Sequence, residues 1–66
     1  EGMFILDLPI PDLSIQLYNM QGQLTKVFSY SESGTYDATD LPAGVYLVKI
    51  FNDQQIIGTK KLVLQH

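Results

Sequence analysis

Sixty-six residues leave room for one domain, and 45% hydrophobic against 17% charged residues is too apolar for a disordered chain. Cysteine is absent, so neither a disulfide framework nor a thiolate metal site braces the core. Seven acidic residues against four Lys, a net charge of −3, argue against nucleic acid or an anionic lipid surface as partner.

Gly and Pro cut the chain into short segments at the spacing of a small sandwich, and no stretch carries a helical apolar stripe. "GMFILDLP" is strand-like as far as Pro9, and Pro9 with Pro11 places that region at an edge or a crossover, because neither can donate to a ladder. In "LSIQLYN", Leu13, Ile15 and Leu17 face one way and Ser14, Gln16 and Tyr18 the other, the alternation of a half-buried strand. "NMQG" is the next turn, opened by Asn19 and closed by Gly22 at positive φ, and "QLTKVFSY" returns to complete a hairpin over residues 13 to 30.

"SESG" reads as a loop and "TYDAT" as a short strand. Asp40, Pro42 and Gly44 then supply a side-chain acceptor, a fixed φ and a free φ for a turn that launches "VYLVKIF". That strand is apolar on both faces apart from Lys49, which predicts a central strand covered on both sides, paired with the final strand. "NDQQ" reverses the chain, and "IIGTKKLVLQ" closes it with Gly58 at a bulge or a close backbone approach. The expected fold is all-β: a small antiparallel, Ig-like β-sandwich of about six to seven strands.

Candidate chemical sites are weak. His66 is the last residue, a poor place to hold a base, and reads as a tail or tag remnant. Ser29, Ser31 and Ser33 lie beside Glu32 without a paired base and read as loop residues. Asp37, Asp40 and Asp53 match no compact calcium loop and read as turn caps. Tyr18, Tyr30, Tyr36 and Tyr46 could form a sugar platform, but alternating strand aromatics read first as core and cross-strand pairs. Lys60 and Lys61 point to opposite faces of the last strand, where they guard an edge or are recognised. No enzyme, cofactor or metal is expected.

Three elements in order, "LYNMQGQL" at 17 to 24, "LPAGVYLVKI" at 41 to 50 and "KKLVL" at 60 to 64, resemble the type A C-terminal sorting domain of type IX secretion system cargo in Bacteroidetes. Asn19 and Gly22 match that family's first turn, Leu41, Gly44 and Tyr46 its Leu-x-x-Gly-x-Tyr element, and Lys60, Lys61, Leu62 and Val63 its closing strand. Gly2, Phe4 and Leu6 resemble its opening strand, whereas the Tyr-Pro-Asn-Pro element that usually precedes it is missing.

The resemblance implies a non-catalytic signal at the end of an exported protein. Its partners would be the outer-membrane translocon and associated sortase-like machinery, and its destination the cell surface or medium. It further implies a domain over 1–66 that lacks its first few residues and is detached from a larger passenger lying N-terminal to it. Open strand edges add an expectation of weak self-association. The rival expectation is a fibronectin-like carbohydrate-binding or adhesion module, carried by the same sandwich pattern and the four Tyr.

Overall fold

The computed structural model describes residues 2–8 and 12–65. Pro9, Pro11 and His66 lie outside the described residues, and with them the crossover and tail readings. Six strands are present among the described residues: β1 Met3–Ile5, β2 Ser14–Asn19, β3 Leu24–Phe28, β4 Thr35–Asp37, β5 Gly44–Asn52 and β6 Gln55–Leu64. All pairings are antiparallel, in a two-stranded sheet β1-β4 and a four-stranded sheet β3-β2-β5-β6. The all-β sandwich expected from the alternation is the fold observed.

The core lies between the sheets and follows the period-2 pattern. Leu13, Ile15 and Leu17 from β2 and its approach, Tyr46, Val48 and Ile50 from β5, and Leu64 from β6 are buried against Phe4, Leu6, Tyr36 and Ala38. Each fully buried aliphatic side chain contributes about 1.5–3 kcal/mol, which a chain this short cannot spare. Phe4, Phe28 and Tyr36 form a three-ring cluster with centroids 5.5 to 5.6 Å apart. These rings come from β1, β3 and β4, so the cluster ties the small sheet to an edge of the large one.

Gly2, Phe4 and Leu6 alternate inward on the first segment, all three buried. The pairing of β1 with β4 continues past its strand limits, since Ala38 N donates to Gly2 O at 2.7 Å and Leu6 N to Gly34 O at 2.8 Å. A Cβ on Gly2 would lie 2.6 Å from Thr39 Cα. This close approach admits no larger residue without moving backbone.

One expectation changes and another is narrowed. β5 is central and pairs with β6, but a second layer covers only its inner face. Val45, Leu47, Lys49 and Phe51 on its outer face are half-buried by neighbours in the same sheet, because among the described residues the second layer is a two-stranded lid on the other face. Gly58 borders a bulge, with Ile57 left between the Ile50–Gly58 and Phe51–Ile56 pairs, so the bulge reading holds. The close-approach alternative does not: a Cβ there would sit 3.6 Å from Ile50 Cδ1, an ordinary contact.

Candidate functional site

The element "LPAGVY" is built as a brace for its own turn. Leu41 N donates to Ala38 O at 3.0 Å, and Leu41 packs half-buried against the core. Gly44 takes φ 155°, outside the range that side-chain-bearing residues favour, and this lets the chain enter β5 directly. Two residues on, Tyr46 is 6% exposed and its hydroxyl donates to Pro42 O at 2.7 Å, closing the turn from inside. Leu41, Gly44 and Tyr46 are therefore committed to the fold.

Asp40 was expected to cap this turn, and it does not. The acceptor is Asp37, whose Oδ1 takes Thr39 N at 2.9 Å and Thr39 Oγ1 at 2.6 Å. These bonds hold its carboxyl below the ordinary value of 3.8. Asp40 instead receives Lys26 Nζ from β3 at 2.8 Å, and that hydrogen bond lowers its own carboxyl. The third aspartate, Asp53, sits at φ 57° in the two-residue loop between β5 and β6. The three aspartates occupy separate surroundings.

The first motif is equally structural. Asn19 Oδ1 accepts Gln21 N at 3.0 Å and Gln23 N at 2.9 Å, while its backbone pairs with Gln23 O and Gly22 N. Gly22 takes φ 85° with open space around it, as the turn requires. A bulge between Leu17 and Tyr18 absorbs the extra residue of the returning strand.

The serines are loop residues as read, whereas the reading of the tyrosines as core and cross-strand pairs holds for Tyr18, Tyr36 and Tyr46 and fails for Tyr30. Ser31 and Ser33 hydroxyls lie 2.9 Å apart in the loop before β4, and Ser31 N donates to the Tyr36 hydroxyl at 3.0 Å. Tyr36 and Tyr46 are core. Tyr18 lies on the outer face, its hydroxyl donating to Gln16 Oε1 and its ring 4.5 Å below Lys49 Nζ. Tyr30 is half-buried in the loop after β3, so the four rings share no platform.

The last motif lies on β6, and its side chains are largely at the surface. Lys60 registers with Val48 and Lys61 with Leu47, so the two lysines emerge on opposite faces and both are exposed. Leu62 registers with Tyr46 and packs on the core, whereas Val63 is 52% exposed. Among the described residues the strand pairs with β5 along one edge only, and its other edge is open.

One family model matches the chain over residues 1–65, that of the secretion system C-terminal sorting domain. The chain belongs to that family. The sorting domain is the address of type IX secretion cargo, a non-catalytic signal that sends its protein to the cell surface or medium. No curated protein and no solved structure matches it.

Two features of this sorting domain were missed from sequence. Gly2 is required by its contact with Thr39, which no local pattern announces. The other concerns charge: all four lysines fall on strands of the four-stranded sheet, and none of its four strands carries a carboxylate. The overall charge of −3 conceals that separation, which becomes legible once strands are assigned.

Proposed function

We propose that β6 is the surface by which the type IX machinery reads this sorting domain, and that the rest of the motif exists to hold β6 in place. One observation carries this: Asn19, Gly22, Leu41, Gly44 and Tyr46 spend their side chains or backbone freedom on turns and core, while Lys60, Lys61 and Val63 stand exposed on one open strand. A signal must present something not already used by the fold. On this reading the folded domain follows its passenger, is engaged at the outer-membrane translocon, and is handed to sortase-like machinery that releases or anchors the cargo.

Replacing Lys60 and Lys61 together by Ala tests the assignment. Both lysines are exposed, and the strand keeps Leu62 and Leu64 in contact with the core, so the cost in stability stays under about 1 kcal/mol. Surface display of a fused passenger should fall sharply while the melting temperature holds. Normal display of the double variant would remove β6 lysines from the recognition surface.

A further inference from the structure

The open edge of β6 is ten residues long, roughly 30 Å of unpaired backbone donors and acceptors along every second residue. Such an edge is a template for another strand. Its chemistry is one-sided. Lys26 is held by Asp40 and Lys49 lies over the Tyr18 ring, but Lys60 and Lys61 have no carboxylate partner among the described residues. Among the described residues every carboxylate lies off the strands of this sheet, in loops or in β4, with Asp53 in the turn that joins β5 to β6 and Asp40 already bound to Lys26.

We infer that β6 accepts an extended acidic segment of the secretion machinery as a fifth strand of the large sheet, selected by a pair of consecutive carboxylates. The pairing geometry sets this specification. Lys60 emerges on the inner face and Lys61 on the outer one, so neighbouring residues of an added strand, which also point to opposite faces, bring one carboxylate to each lysine. Apolar residues flanking that acidic pair would extend the outer apolar surface of Val63, Val45, Leu47, Phe51 and Ile56.

A second copy of the chain is the poorer occupant. β6 paired with itself about a two-fold axis reaches equal extent in two registers: one sets Lys60 opposite Lys60, where like charges destabilise a pair, and the other sets Lys60 opposite Gly58 and Lys61 opposite Ile57, so that neither lysine meets a carboxylate. The same lysines that are repelled or left unmatched by another β6 admit an acidic strand, so attraction and exclusion come from one feature.

This inference rests on β6 being the recognition strand. Its test is the 66-residue chain titrated with a capped ten-residue peptide, Thr-Val-Thr-Val-Glu-Glu-Val-Thr-Val-Thr, followed by amide NMR and hydrogen exchange. Saturable shifts confined to β6 and its neighbour, with new protection of alternate β6 amides, are expected. A Lys-Lys version of the peptide should bind at least tenfold more weakly, and Lys60→Glu with Lys61→Glu should reverse that preference. A version with Pro at its second Val and seventh position should lose binding, because Pro cannot complete the ladder.

Several results would overturn the inference: equal binding of the Pro-interrupted peptide, shifts spread over the loops, or no binding of the Glu-Glu peptide. So would binding to phosphatidylglycerol vesicles in place of the peptide, or β6 protection that grows with protein concentration alone. Failure here is separable from failure of the recognition assignment. Lost display of the double Ala variant without peptide binding rejects strand addition and keeps β6, whereas peptide binding with normal display rejects β6 as the signal.

Discussion

Replacing Tyr46 by Phe and by Ala separates the two things this residue does. The ring is 6% exposed between Asn19 and Leu62 on the neighbouring strands, and the hydroxyl reaches Pro42 O at 2.7 Å. Phe keeps the ring and leaves the Pro42 carbonyl without this donor, a loss of about 1 kcal/mol. In a domain of this size that lowers Tm by about 4–8 °C. Ala removes the ring as well and leaves a cavity between the sheets, at about 3–5 kcal/mol. Against a total stability of about 3–10 kcal/mol for a chain this short, the Ala variant loses a large share of its margin and should melt far below wild type. Thermal melts followed by far-UV circular dichroism read both. A Tyr46→Ala domain melting within a few degrees of wild type, or a Phe variant as unstable as Ala, would refute the brace.

Three further outcomes follow from particular contacts. Gly2→Ala forces a Cβ to within 2.6 Å of Thr39 Cα and should cost about 1–3 kcal/mol or more. Gly22→Ala meets open space and should cost only the strain of φ 85°, about 1–2 kcal/mol; chemical denaturation that ranks Gly22 as the costlier site would contradict the close approach at Gly2. Asp37 and Asp40 both have lowered carboxyl values, so their contribution is complete above pH 3.8 and is lost as pH falls below it. Melting scans from pH 6 to pH 2.5 should show that loss, and Asp37→Asn should flatten it; an unchanged acid profile in Asp37→Asn would show that the Thr39 bonds contribute nothing to folding.

Where a residue's role was set by its immediate neighbours, the sequence disclosed it. The alternation from Leu13 to Tyr18 marks the buried face of β2 because side chains on a strand alternate whatever surrounds it. Asn19 and Gly22 announce their turn because the amide side chain and the free φ act within four residues. The roles that stayed hidden depend on distant chain. Asp40 is engaged by Lys26, which β3 brings within 2.8 Å of it, a contact between residues fourteen apart in sequence.

The outer face of β5 shows the same limit. Val45, Leu47 and Phe51 are as apolar as a doubly covered strand, yet among the described residues only β1 and β4 form a second layer, and those close over the inner face. The sequence names nine candidate site residues but does not sort them by what each does in the fold. Tyr46 and Lys60 belong to one motif set, and only the register with Val48 and the bond to Pro42 O show that one is consumed by the fold and the other displayed.

The most direct test of the account is to fuse the chain to the C-terminus of a fluorescent protein exported to the periplasm of a type IX-competent host, and to measure fluorescence accessible at the cell surface or in the medium. The domain should carry the passenger out, and Tyr46→Ala and the Lys60→Ala, Lys61→Ala pair should both block it, the first by unfolding the signal and the second with the fold intact. A wild-type fusion that stays in the periplasm, folded and stable, would contradict the assignment of these residues as a sorting signal.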